Sequence, residues 1–210
     1  MNNNFNNETI MKNISKILLF AIVFLWGCEP TNDQIINTPD NISSSPLFLN
    51  VNCELIPLPE KSPLWVDSVF TMCREIDGSV GGRMIMEKYY ISGIGDSVFI
   101  KADLRIPAGA FNGTKLISMT VDSEYAVIHF SPEMVFEDTL RLFQTFEGLN
   151  LEEYPTGTID YMYVNTNGSV DLIKKNGMQI VVPQGIVRVQ NAKLLHFSRY
   201  GWVRKYDTNG

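Results

Sequence analysis

An all-β fold, an antiparallel β-sandwich, is the class this sequence predicts, on two observations. From Leu47 onward apolar residues alternate with polar ones at period two. Turn pairs rich in Asn, Gly and Pro interrupt that alternation every ten or so positions, the spacing of many short strands joined by hairpins.

The clearest strand is Ser97 to Ile106, SVFIKADLRI. There Val98, Ile100, Ala102, Leu104 and Ile106 alternate with Phe99, Lys101, Asp103 and Arg105. Only an extended chain puts those two sets on opposite faces. The same alternation predicts strands over Leu116–Val121, Tyr125–Phe130, Leu140–Phe146, Ile159–Val164, Val170–Ile173, Met178–Val182, Ile186–Val189 and Leu194–Val203. Between them stand Asp77-Gly78, Gly81-Gly82, Asn112-Gly113, Pro155-Thr156-Gly157, Asn167-Gly168, Asn176-Gly177 and Pro183-Gln184-Gly185. Asn-Gly supplies the positive φ angles that tight hairpin turns require. Leu64 to Ile76 has apolar spacing compatible with a helix, but Val69, Phe70 and Thr71 lean toward strand.

The N-terminal part follows different rules. Ten apolar residues, Ile17 to Trp26, end on Gly27-Cys28 and are preceded by Lys12 and Lys16, the layout of a secretory signal peptide. A permanent bilayer span needs about 20 apolar residues, so the run is expected to be removed. Met11 is a second candidate start, since the Asn-rich MNNNFNNETI before it adds nothing that a signal peptide needs. Leu25-Trp26-Gly27-Cys28 resembles the lipobox of bacterial lipoproteins, which implies cleavage before Cys28 and lipidation of its thiol. The organisation expected is a signal peptide over residues 1–27, a lipid-anchored tether over 28–46 and one folded domain over 47–210. The tether, EPTNDQIINTPDNISSSP after the cysteine, has the composition of a solvated linker and could reach about 60 Å when stretched. The protein is then anchored by lipid to the bacterial envelope, the outer membrane preferred, with the membrane as its first partner.

Charge narrows the remaining partners. The chain carries a formal charge of −6, and removal of residues 1–27 takes away Lys12, Lys16 and Glu8, leaving it one unit more negative. An acidic chain argues against nucleic acid. An exported chain also meets an oxidising compartment, where Cys53 and Cys73, the two cysteines left after lipidation of Cys28, are candidates for a disulfide; two buried thiols are the alternative.

Five pieces occur in one order: SVGGRM at 79–84, ADLRIPAGAFNG at 102–113, ISMTVD at 117–122, HFSPEMVFEDTLRL at 129–142 and HFSRYG at 196–201. Together they resemble a ZU5-type domain, with the core of the resemblance over about residues 76–204. Its most specific element is Leu104-Arg105-Ile106-Pro107-Ala108-Gly109-Ala110; Ser131-Pro132 stands where that family often has Gly-Pro. The resemblance implies a β-sandwich with a role in binding rather than catalysis, a non-enzymatic protein-interaction or structural module at the cell surface; a glycan-binding module is the alternative, so the expected partner is an unidentified surface protein or glycan. It also implies a chemistry to be tested. Self-cleaving relatives break their own chain between Phe and Ser of a His-Phe-Ser triplet, and His196-Phe197-Ser198 stands at a comparable place, with Ser198 as nucleophile on the Phe197 carbonyl and His196 as base. A second triplet, His129-Phe130-Ser131, indicates that these letters also serve packing.

Other constellations are thin. There is no Gly-rich phosphate loop and no His-Glu-x-x-His, so neither a cofactor nor a resident metal is expected, and a hydrolase is a distant alternative. Asp77, Asp122 and Glu124 are the loop acids that could serve calcium. Asp160 and Asp171 are expected to face solvent from their strands. Asp67-Ser68-Val69, Asp96-Ser97-Val98 and Asp138-Thr139-Leu140 match a three-letter O-glycosylation pattern but read first as turn residues opening a strand. Finally, His196, Ser198, Tyr200 and Trp202 would share one face of the last strand. Packed inward they complete a core; exposed, Tyr200 and Trp202 would form a platform for sugar rings.

Overall fold

Among the described residues, twelve strands, every pairing antiparallel, build two sheets. The computed structural model describes residues 53–63, 69–165 and 169–206, within a unit spanning Ser43–Gly210. The expected leader, Cys28 and the expected tether lie outside the described residues. In chain order the strands are β1 (Cys53–Leu55), β2 (Thr71–Asp77), β3 (Gly82–Ile91), β4 (Ser97–Ile106), β5 (Thr114–Val121), β6 (Val127–Ser131), β7 (Val135–Glu147), β8 (Ile159–Val164), β9 (Val170–Leu172), β10 (Gly177–Val181), β11 (Ile186–His196) and β12 (Arg199–Lys205). A seven-stranded sheet runs β2-β5-β6-β12-β8-β9, with β1 also paired to β12. A five-stranded sheet runs β10-β11-β7-β4-β3. From β3 onward the chain switches back and forth between the sheets, through the hairpins β3–β4, β5–β6, β8–β9 and β10–β11 and the single strands β7 and β12, and the main apolar faces of the two sheets meet each other. The result is the generic sandwich that alternation predicts.

β4 has the predicted bounds and pattern, with Val98, Ile100, Ala102 and Leu104 fully buried. It stops because Pro107 has no N–H for the ladder, and Gly109 at φ 82° then turns the chain. Buried residues of both sheets form the main core, from Met84 and Leu104 on one side to Ile117, Tyr161 and Trp202 on the other. A smaller cluster, Met162, Val164, Val170 and Val203, lies on the opposite face of β8 and β12, with Cys53 and Leu55 packed against it.

Several strands differ from those the alternation predicts. β3 is a ten-residue strand whose period was hidden, because Ile85, Tyr89 and Ile91 are apolar yet exposed while Met84, Met86 and Tyr90 are buried. β11 runs on from Val189 to His196 through a bulge at which Asn191 takes φ 53°. The bulge switches the inward set from Val187 and Val189 to Ala192 and Leu194, so a continuous strand reads as two. Leu194–Val203, conversely, is not one strand. It ends in one sheet at His196 and resumes in the other at Arg199.

The Cys53–Cys73 bond is not formed; Cys53 is a free thiol. β1 continues the line of β6 along β12, leaving it two strand spacings, about 10 Å, from β2, beyond the roughly 7 Å that a disulfide tolerates. Burial pushes the Cys53 thiol pKa up.

Candidate functional site

Alternation along β8 decides what reaches the interior. Tyr161 and Tyr163 go toward the main core, while Asp160, Met162 and Val164 take the other face. Tyr163 meets two residues from beyond its own strand. His196, the last residue of β11, lies edge-on to it with ring centroids 4.7 Å apart, and Tyr200 of β12 lies at 5.5 Å. The crossover Phe197-Ser198 joins those two elements and is buried: Phe197 stacks on Phe130 at 5.4 Å and lies edge-on to Phe136 at 4.7 Å. Its backbone is fixed as well, Phe197 N–H donating to Met134 O and Phe130 N–H to Ser198 O, both at 2.8 Å.

Beside this aromatic group, between the edges of the two sheets, is a cleft of about 570 Å³. The seven-stranded sheet contributes Tyr163, Asp171, Leu172 and Tyr200, with Asn165, Ile173 and Lys174 from the loops that follow β8 and β9. The five-stranded sheet contributes Thr139, Lys193, Leu195 and His196. A bond from Lys193 N–H to Lys174 O at 2.8 Å brings the two lysine positions together. Asn165 Nδ2 donates to Ser169 Oγ at 2.8 Å and to Asp171 Oδ2 at 3.0 Å, while Arg199 Nη2 donates to the Asn165 carbonyl. Asp171 Oδ1 is buried with no donor among the described residues. Burial lowers the His196 pKa, which favours the uncharged ring beside its tyrosine neighbours.

Of the triplet at 196–198, His196 is thus brought to the cleft wall, while Phe197 and Ser198 are buried behind it. Ser198 Oγ donates to Tyr163 Oη at 3.5 Å, and among the described residues no hydrogen bond joins it to His196. Tyr200 Oη donates to the His196 carbonyl at 2.8 Å, and burial pushes the Tyr200 phenol pKa up. The other triplet lies in β6: His129 Nε2 contacts Asp122 Oδ2 at 2.9 Å, and Phe130 enters the core.

Several expectations change. Asp160 does not face solvent. It is 6% exposed, held by Lys175 Nζ at 2.6 Å and Lys205 Nζ at 2.7 Å. Burial raises its carboxyl pKa, but the two lysines and the Tyr161 N–H outweigh this and the net direction is down. Asp171 is half-buried, as above. Tyr200 and Trp202 are 1% and 0% exposed, so they are core and do not form a sugar platform. Asp77 Oδ1 accepts from Ser79, and Asp122 Oδ1 from the N–H groups of Glu124 and Tyr125, so each carboxylate closes its own turn. Among the described residues no group of three or more His, Cys, Asp and Glu side chains could hold a metal ion. Ser97 opens β4, whereas Asp138-Thr139-Leu140 lies inside β7 rather than at its start; Asp67 and Ser68 lie outside the described residues.

Sequence reasoning missed Tyr163, Asn165, Lys174 and Lys193 as site residues. They are scattered over 31 positions, from 163 to 193, and share no motif; only the crossing of the chain between sheets brings them together. No family model, no curated protein and no solved structure matches the chain.

Proposed function

We propose that the protein is a lipid-anchored envelope protein whose sandwich, ZU5-like in kind, is a non-catalytic binding module with the cleft between β8–β9 and β11 as its ligand site. The single observation that carries the binding role is that cleft. It has the size of a small-ligand site, aromatic rings for its wall and a few polar groups converging on it. Its histidine is packed as part of the wall, and the buried Ser198 nearby is bonded to a tyrosine instead of to a base. The ZU5-like assignment is supported by the segment Ile106-Pro107-Ala108-Gly109-Ala110, the most specific part of the resemblance, which here ends a strand at Pro107 and turns at Gly109. The anchor is supported by Phe24-Leu25-Trp26-Gly27-Cys28 at the end of an apolar run. Metabolic labelling with a palmitate analogue tests the anchor: label on the wild type and none on Cys28→Ala is expected, and equal label on both overturns it.

Self-cleavage is a second reading, favoured by one observation: the Phe197–Ser198 bond is the buried crossover between two sheets, a place where packing rather than local preference sets the backbone. There Ser198 Oγ would attack the Phe197 carbonyl, the peptide would shift to an ester and water would release the C-terminal peptide. Intact-mass measurement separates the readings. Full mature mass, unchanged by Ser198→Ala, is expected of a binding module; loss of the peptide from Ser198 onward, prevented by that substitution, establishes cleavage.

A further inference from the structure

We propose that the cleft binds an acidic saccharide, its carboxylate paired with Lys174 and Lys193 and its hydroxyls read by Asp171 and Asn165 beside the ring of Tyr163. This ligand class rests on the binding-module reading and deepens it.

Three features of the cleft select it. The first is charge. Lys174 and Lys193 are exposed, adjacent through the backbone bond that joins them, and have no ion-pair partner among the described residues. In a chain of net charge −6, two such cations at one mouth form a local anion site against the overall field. The second is the polar interior. Asp171 Oδ1 is buried without a donor among the described residues, and its other oxygen is bonded to Asn165. An acyl chain filling the cleft would cover the Asp171–Asn165 pair with apolar atoms, which is unfavourable, whereas sugar hydroxyls bring donors to the carboxylate and both donors and acceptors to the amide. Inorganic phosphate would satisfy the lysines but present like charge to Asp171 and leave the aromatic wall unused. The third is the wall itself. Tyr163, flanked by His196 and Tyr200, offers a rigid apolar surface of the kind that the C–H face of a sugar ring covers. A sugar with a carboxylate on its rim combines all three chemistries in one rigid body of small-ligand size.

Calorimetric titration of the purified, detergent-solubilised full chain tests this. The ligands are α-1,4-trigalacturonate, a glucuronate-containing tetrasaccharide, maltotriose as neutral sugar and decanoate as acyl carboxylate. At least one acidic oligosaccharide is expected to bind at least tenfold more tightly than maltotriose and decanoate. Its affinity is expected to fall at least tenfold in Lys174→Gln/Lys193→Gln, and on raising NaCl from about 0.05 to 0.5 M, as a partly exposed ion pair requires. Both lysines are exposed, so circular dichroism of the double variant is expected to match the wild type. Binding by neither acidic sugar, equal binding of maltotriose, tighter binding of decanoate, or indifference to the double substitution each overturns the proposal. Failure of the two acidic sugars while decanoate or maltotriose binds removes the ligand class and leaves the binding module standing, whereas failure of all four ligands overturns both. Loss of the label with acidic-sugar binding intact removes the anchor alone.

Discussion

Asp160 illustrates how much one buried charge can depend on its neighbours. Its strand position sends it away from the main core, yet the face it lands on is covered, and two lysines from distant segments neutralise it. Removing one partner of a buried pair leaves the other charge uncompensated, at a cost of about 3 kcal/mol at the lower end of such cases. Lys205 is one-third exposed and can turn to water, which places this site at that end. Asp160→Ala is therefore expected to lose about 3 kcal/mol in urea denaturation. Asp103, gripped by Arg83 at 2.7 Å and by Arg105 at 3.0 Å, and Asp122, in its turn with His129, belong to the same class. In all three aspartates burial raises the carboxyl pKa, hydrogen bonds and cations lower it more, and the folded value lies below the ordinary one. A depressed folded pKa contributes stability above the unfolded pKa of about 3.9 and loses it as pH falls through the folded value. The melting temperature is accordingly expected to fall steeply below about pH 4, and a flat profile down to pH 2 would contradict the assignment.

At the scale of elements, the hairpin β10–β11 depends on its turn. Gly185 sits at φ 62°, and a Cβ there would lie 2.1 Å from the Leu149 carbonyl oxygen. Gly185→Ala combines a left-handed backbone with a collision against main chain and is expected to destabilise by more than about 1 kcal/mol. Gly157, with nothing within 4 Å, is the matched control, and its alanine variant is expected to stay within about 0.5 kcal/mol of wild type. Equal effects at the two sites would show that the close approach is not felt. The bulge in β11 acts at the same scale: by changing which residues face inward, it lets one strand place Val189 in the core and still bring His196 to the cleft.

For the whole molecule, the two sheets share one core in which Trp202 is fully buried and edge-on to Tyr161 at 5.2 Å. Trp202→Ala is expected to cost about 4 kcal/mol, as truncation of a buried aromatic does. Far-UV and near-UV circular dichroism are expected to report one coincident transition in wild type and variant, because neither sheet has another surface on which to bury its inner face. Separate transitions would mean that the sheets fold apart. β1 and β12 come from opposite ends of the described chain, with Cys53 opposite Lys205, so their pairing closes the longest loop among the paired strands and carries the largest closure cost.

The sequence by itself determined the class and much of the strand set. Strands β4 and β8 have their predicted bounds because one face of each is apolar enough to set the period, and Pro107-Ala108-Gly109 turns where its backbone chemistry requires. What only the tertiary structure decided are the features that depend on contacts between distant segments. These include the burial of Asp160, the break between His196 and Arg199, the free Cys53 and the meeting of Tyr163, Asp171, Lys174 and Lys193 at one cleft. Period two reports which face a residue occupies. It carries no information on what covers that face, because the covering residues come from strands remote in sequence.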